Sequence, residues 1–223
     1  MKAVLDHVED IAENIKTFWF KPERRVRFTA GQFTELYLPH PNADNRGNKR
    51  WFTISSSPTD ELISITTKYA TERSSSFKEF LFSLEPGSQV SLADPMGDFV
   101  LPKDTTIPLI YVAGGIGVTP IHSMVKYLYD REEQRDIALL YAVNNEQERC
   151  FNELFQDYPL QFAPIIGGVT VEQLHEFAHK SPDSLIYLSG PEAMTKALVD
   201  GLKKSGINKQ RIVTDFFPGY SHL

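Results

Sequence analysis

The 223-residue chain carries 29 acidic side chains against 23 lysines and arginines, a net charge of −6 that argues against nucleic acid and acidic membrane surfaces as partners. Its 41% hydrophobic and 12% aromatic content can build real cores, yet no apolar run approaches the roughly 18 residues of a membrane span. The first residues lack the apolar core of a signal peptide, and Cys150 is the single cysteine, which excludes a disulfide and a cysteine-held iron–sulfur cluster and makes the cytoplasm the expected compartment.

That length fits one large domain or two of about 100 residues each. In the first half, short alternating runs at 33–38, 51–56 and 62–68 are separated by polar turns, the pattern of a small antiparallel β-barrel. Residues 39–49, rich in Pro, Asn, Asp and Gly, read as an exposed loop. Directly after it, Arg50-Trp51-Phe52-Thr53-Ile54-Ser55-Ser56-Ser57-Pro58 puts a cation, aromatic rings and hydroxyls on one extended run. Phe52, Ile54 and Ser56 share one strand face, and Trp51, Thr53 and Ser55 the other. The planar fork of Arg50 suits a pyrophosphate, and Thr53 suits a heterocycle edge; an amphipathic strand with a solvated arginine gives the same letters. At 75–84, Phe77, Phe80, Leu81 and Leu84 recur at helical spacing, and the serines before them, Ser74, Ser75 and Ser76, suit a helix cap.

Near residue 105 the pattern changes, and residues 102–106 read as a linker. The apolar run 108–113 has the length of a buried parallel strand. Gly114-Gly115-Ile116-Gly117-Val118-Thr119-Pro120 then leads into a helix whose apolar positions are Ile121, Met124, Val125 and Leu128. Thr119 reads as its N-cap and Pro120 as its first residue. Such a loop brings backbone N–H groups and a positive helix end to a phosphate; an ordinary strand-to-helix turn also fits, and the loop is not a GxGxxG fingerprint. Strands at Ile137–Val143, 162–166 and 185–188 alternate with helices, which gives a doubly wound parallel sheet. The expected architecture is therefore an antiparallel β-barrel domain over 1–104 followed by an α/β doubly wound domain over 105–223.

Taken together and in order, these segments resemble the ferredoxin-reductase-like superfamily of flavoproteins. Its motif Arg-x-(Tyr/Phe)-(Ser/Thr) followed by Ser-x-Pro reads here as Arg50, Phe52, Thr53, Ser56 and Pro58. Ala30-Gly31-Gln32-Phe33, Thr66-Thr67-Lys68, the Ser74 to Lys78 segment, Glu85-Pro86-Gly87, Asp94-Pro95-Met96-Gly97-Asp98-Phe99, the glycine loop and Ser189-Gly190-Pro191 follow the family order. The resemblance implies a flavin in the first half and a nicotinamide nucleotide in the second. It implies that Arg50, with the start of the helix at Ser74, Ser75, Ser76 and Phe77, holds the flavin diphosphate, which favours FAD over FMN. Trp51, Phe52, Thr66, Thr67 and Lys68 join the flavin site, Phe52 flanking the ring and Thr53 bonding near N5. Gly115, Gly117, Val118 and Thr119 would hold the dinucleotide diphosphate, with Gly190 and Pro191 near the nicotinamide. Ser189 stands where many relatives have cysteine, which bears on the hydride-transfer rate. An aromatic near the C-terminus, Tyr220 first and Phe217 second, would cover the flavin face.

In Asn144-Asn145-Glu146-Gln147-Glu148-Arg149, acids that accept ribose hydroxyls outnumber the arginine that would attract a 2′-phosphate, a tilt to NADH over NADPH, with Glu148 as ribose ligand. Acids at a helix start give the same pattern for structural reasons. Asp215 reads as a solvated loop acid before a proton donor. The expected function is hydride transfer between NAD(P)H and FAD, with electrons passed to ferredoxin, flavodoxin, another protein or a small molecule. The alternative is an electron-transfer subunit of a larger complex. One rival motif remains: His175-Glu176-Phe177-Ala178-His179 matches the HExxH of zinc peptidases, although two histidines on a surface helix explain it more simply.

Overall fold

The computed structural model describes residues 1–69 and 74–215. The first half builds one six-stranded antiparallel sheet in the order β4-β3-β6-β1-β2-β5. Its strands are β1 (Lys2–Ala12), β2 (Ile15–Pro22), β3 (Phe33–Tyr37), β4 (Lys49–Thr53), β5 (Ile63–Lys68) and β6 (Gln89–Leu92), with α1 (Ser76–Phe82) inserted before β6. Just beyond β4 the two edges of this sheet meet: Ser55 N–H donates to the Ser64 carbonyl at 2.9 Å, and their hydroxyls lie 2.8 Å apart. Curling the sheet until its edges meet removes exposed strand edges. Alternate residues of every strand then point inward, where Leu5, Phe18, Phe20, Leu36, Ile54, Ile65 and Val90 form one core with Phe77 and Leu81 of α1.

The second half is a five-stranded parallel sheet, ordered β11-β10-β7-β8-β9. Its strands are β7 (Leu109–Gly114), β8 (Ile137–Val143), β9 (Gln161–Ile166), β10 (Leu185–Ser189) and β11 (Ile212–Thr214). Its helices are α2 (Thr119–Asp130), α3 (Asn152–Asp157), α4 (Val171–Lys180) and α5 (Glu192–Lys204). Because side chains alternate along a strand, the central β7 feeds two cores at once. Tyr111 and Ala113 pack with Ile121, Val125 and Leu128 of α2 and Phe155 of α3. Ile110 and Val112 pack with Leu174 of α4 and Leu198 and Leu202 of α5. Helices therefore cover both faces, as a doubly wound sheet requires.

The chain leaves β7 toward β8 and β9, then crosses back to place β10 on the other side of β7. That reversal of winding opens a crevice at the carboxyl ends of β7 and β10. The two halves share apolar surface, because Ile15, Ala30 and Phe99 of the first half belong to the core on the α2 side of the second sheet. Residues 102–106, expected as a linker, are held down on that side by Arg135, whose Nη1 donates to the Pro102 carbonyl at 3.0 Å.

Candidate active site

The crevice is lined by two turns whose glycines serve different ends. Gly115, at φ +52°, begins a 3₁₀ turn over Gly115–Val118, and a Cβ placed on it would meet nothing within 4 Å. Gly117 is jammed: a Cβ there would lie 2.6 Å from both the Cα and the N of Gly190. Gly117 is thus needed for the close passage of the two turns, and Gly115 for the left-handed backbone that opens the first one. Val118 is fully buried beneath the turn. Thr119, expected as the helix cap, lies inside the helix at φ −58°, ψ −44°, and its hydroxyl donates to the Ile116 carbonyl at 3.1 Å. The 3₁₀ turn runs straight into α2, so no extended residue is left to act as the cap, and Pro120 sits in the first turn.

Across the crevice, β10 ends in Ser189, followed by Gly190 at φ +152° and Pro191, the residue preceding α5. The Ser189 hydroxyl donates to Asp215 Oδ2 at 3.0 Å. Asp215, read above as a solvated loop acid, is instead enclosed, and burial pushes its carboxyl up to about 6 despite the serine hydrogen bond. Sequence offered no signal for this enclosure, because it follows from β11 pairing beside β10. Phe217 and Tyr220, proposed to cover the flavin, lie outside the described residues.

On the barrel side, Thr53 ends β4, is 8% exposed and has no hydrogen-bond partner for its hydroxyl among the described residues. Thr66, expected at the flavin, has its hydroxyl in a chain with Thr17 and Ser55, each contact 2.8 Å. Thr67 is buried on the same strand. Trp51 packs edge-on against Phe33 at 5.3 Å, and Phe52 lies 6.1 Å from Phe77. At α1, Ser75 is the N-cap and accepts from Lys78 N–H, while the Ser76 hydroxyl lies 3.0 Å from His40 Nε2. With only seven residues, α1 has little helix dipole, so a phosphate here depends on side-chain cations.

Arg50 is 7% exposed, with its guanidinium 5.0 Å above the Phe77 ring. Its Nη1 donates to the carbonyls of Arg46, Gly47 and Lys49, its Nη2 donates to Asp44, and its Nε is buried without a partner. On α1, Lys78 donates to the Lys68 carbonyl at 2.7 Å and to nothing else among the described residues, and burial together with Arg46 and Lys68 lowers its pKa. A guanidinium N–H and a desolvated ammonium that find, among the described residues, no acceptor and no carboxylate suit a phosphorylated ligand, and the open Thr53 hydroxyl suits its ring. The residues present therefore fit a flavin.

Two residues assigned above to different cofactors are bonded to each other: Lys68 Nζ lies 2.6 Å from Glu148 Oε1, joining the barrel to the parallel-sheet half. Glu148 is thereby engaged, whereas Glu146 is 74% exposed at the end of β8. Helix α2 makes the other joints. His122 Nδ1 donates to the Ser55 carbonyl at 2.7 Å, and the Ser123 hydroxyl donates to the Ser56 carbonyl at 2.6 Å. The same helix thus follows the glycine turn and grips the strand extension that begins at Thr53. Neither joint was legible in sequence, since a serine and a histidine on a helix carry no label for a partner some 67 residues away. His175 and His179 stack on α4 at 6.1 Å, and among the described residues no three His, Cys, Asp or Glu are grouped to hold a metal. Cys150 is buried, and burial pushes its thiol up to about 11, so it is not a poised thiolate.

Comparison with known proteins fits this geometry. A family profile described as "Oxidoreductase NAD-binding domain" matches residues 111–162. Flavohemoprotein A of Dictyostelium discoideum is 25% identical over 235 residues, covering 96% of this chain and 59% of that protein. The reductase subunit of an aromatic O-demethylase from Amycolatopsis is 22% identical, covering 97% of this chain and 69% of the relative. The chain thus spans about three fifths of the flavohemoproteins it resembles. Among solved structures, the flavohem-like FAD/NAD-binding domain of a nitric oxide dioxygenase from Vibrio cholerae superposes with a TM-score of 0.83 at 19% identity, covering 97% of this chain and 98% of that one. A ferredoxin-NADP+ reductase from Plasmodium falciparum superposes at 0.81 with 17% identity, covering 97% and 95%. These likenesses establish the shared fold, an antiparallel six-stranded sheet followed by a five-stranded parallel sheet with helices.

Proposed function

We propose that this chain, a member of the ferredoxin-reductase-like superfamily by fold, is a flavin-dependent oxidoreductase that moves hydride between NAD(P)H and FAD and passes electrons to a separate acceptor. The observation that carries the reading is the joint at α2, which continues the glycine turn and bonds the barrel segment just past Thr53. The barrel rim with Arg50 and Thr53 and the turns at Gly115–Val118 and Gly190 are locked to each other through α2. We assign residues 1–104 to the flavin and 105–223 to the nucleotide. When bound, the flavin supplies a ring that accepts hydride from the nicotinamide, which requires reacting atoms at about 3–3.5 Å.

The protein's own groups hold, orient and shield. Arg50 and Lys78 hold phosphate oxygens, and two such cations suit the diphosphate of FAD better than the single phosphate of FMN. The free Thr53 hydroxyl orients the ring edge. Gly115 opens its turn toward the dinucleotide phosphates, while Gly117 keeps the Ser189–Gly190 turn close enough to line the nicotinamide site. Asp215, with its pKa raised to about 6, exchanges a proton through Ser189 Oγ near neutral pH. NADH is the favoured nucleotide, because Glu146 faces solvent at the end of β8, while the Arg149 side chain is only 12% exposed.

The acceptor is a ferredoxin- or flavodoxin-type protein or a small molecule. A second reading, an electron-transfer component of a larger complex, draws support from the relative named as a reductase subunit. Among the described residues no helix is long and apolar enough to cross a membrane, and we place the protein in the cytoplasm. An absorbance spectrum of the purified protein, followed by anaerobic titration with NADH and NADPH, tests the proposal. The expected result is a yellow protein that NADH bleaches at lower concentration than NADPH. A colourless protein that takes up no added flavin and oxidises neither nucleotide would overturn it. Fast turnover with an artificial acceptor favours the free-standing enzyme; turnover that depends on a co-purifying protein favours the subunit.

A further inference from the structure

Arginine has five N–H donors, and four of those on Arg50 are spent within the loop 44–49. Nη2 donates to Asp44 Oδ1 at 2.8 Å and to Oδ2 at 3.0 Å, so the carboxylate closes on the outer edge of the guanidinium. Both bonds fall on the one nitrogen Nη2, which is one prong of the fork with which an arginine grips a phosphate; the other prong on that side, Nε, is the buried N–H without a partner among the described residues. Arg46 holds the same carboxylate: its Nη2 lies 3.0 Å and its Nε 3.3 Å from Asp44 Oδ2, and its backbone N–H donates to Oδ1 at 2.9 Å. Arg50 is 7% exposed at its side chain, while Asp44 is 27% and Arg46 41% exposed. The carboxylate thus has a way out to solvent and keeps Arg46 as its partner when it leaves Arg50.

Among the described residues the charges here do not balance. Arg46 and Arg50 share the Asp44 carboxylate, Lys78 adds a further cation close enough to Arg46 for its pKa to fall, and one buried N–H of Arg50 stays unpaired even with Asp44 in place. A purely structural ion pair would leave no surplus cation and no orphaned donor in the same pocket.

We propose that Asp44 is a displaceable counter-ion of Arg50, which a phosphorylated flavin must exchange for its own phosphate, so that this one carboxylate sets how tightly the flavin is held. The inference rests on the reading of Arg50 as the phosphate ligand. It goes beyond that reading in naming a competitor and in giving the sign of its effect. If Asp44 were a strut that aims Arg50, removing it would weaken flavin binding; as a competitor, its removal strengthens binding.

Fluorescence titration of flavin-stripped protein with FAD, FMN and riboflavin separates these cases, because riboflavin has the ring without a phosphate. Asp44→Asn and Asp44→Ser are compared with the wild-type chain after circular dichroism shows that each is folded. The expected result is about tenfold tighter binding of FAD and FMN in both variants, with riboflavin unchanged. Unchanged or weaker FAD binding in the variants, or an equal gain for riboflavin, would overturn the inference while leaving the flavoprotein reading intact. Absence of binding by all three flavins to all three proteins would overturn both.

Discussion

Thr53 is a small side chain at the rim of the barrel whose hydroxyl is free among the described residues, while the neighbouring Ser55 and Thr66 hydroxyls are committed to each other. On the proposed reading its loss removes a hydrogen bond that orients the flavin ring and little contact area. Thr53→Ala is therefore expected to leave flavin affinity within about threefold and to slow flavin reduction by NADH roughly tenfold or more. Rapid mixing under anaerobic conditions measures the second effect, and equal rates in the two proteins would remove Thr53 from the site. Gly117 presents a steric case. Added to it, a methyl group would collide with backbone atoms of Gly190 at 2.6 Å, and backbone cannot swing away as a flexible side chain can. Gly117→Ala should cost about 1–3 kcal/mol of stability and weaken NADH binding at least tenfold, with flavin content unchanged. Urea denaturation and NADH titration check the two parts separately.

At the scale of elements, α2 is the joint. Its first turn continues the glycine loop, and its next residues hold the carbonyls of Ser55 and Ser56. The same interface gains the Lys68–Glu148 bridge and the Glu13 N–H bond to the Gln147 carbonyl at 2.9 Å. Ser123→Ala leaves the buried Ser56 carbonyl without its donor, which should cost about 1–3 kcal/mol. Urea denaturation followed by circular dichroism should show that loss, and an unchanged midpoint would mean the joint is not under load. Much of this level was legible in advance: β8 falls on the expected run Ile137–Val143, and α1 lies within the expected helix. Strongly periodic apolar segments announce themselves. The N-terminal strands did not, since only Ala3 and Leu5 are fully buried in the 11 residues of β1, and its charged outer positions blur the alternation.

For the whole molecule, two enclosed groups, Asp215 beside β10 and His122 at the joint with the barrel, oppose each other in pH. Burial raises Asp215 to about 6, so the folded protein keeps a proton that the unfolded chain releases from 3.8 upward, and stability falls as pH rises through that window. Burial lowers His122 to about 4, against which its hydrogen bond to Ser55 acts only partly. The unfolded chain therefore binds a proton below 6.5 that the folded protein refuses, and stability falls as pH drops. Each slope is worth of the order of 3 kcal/mol, and between about pH 4 and 6 they cancel. Asp215→Asn should expose the histidine slope, giving a protein that loses stability on acidification from 6.5 to 4.5. His122→Gln should expose the opposite trend. Urea midpoints at these two pH values decide it, and identical profiles in all three proteins would count against the enclosure of both groups.

The order of chemistry-bearing segments along the chain determined the fold, because a barrel of alternating strands and a parallel sheet with a glycine turn each leave a periodic trace in local sequence. The same letters placed Arg50, Thr53 and the Gly115 turn as candidates. Only the folded structure decided what these groups touch: that Asp44 and Arg50 meet, that Lys68 and Glu148 pair across the interface, and that Asp215 is enclosed. Periodicity reports which face of an element is buried. Charge pairing and burial depth depend on which other element arrives at that face, and no local pattern encodes that.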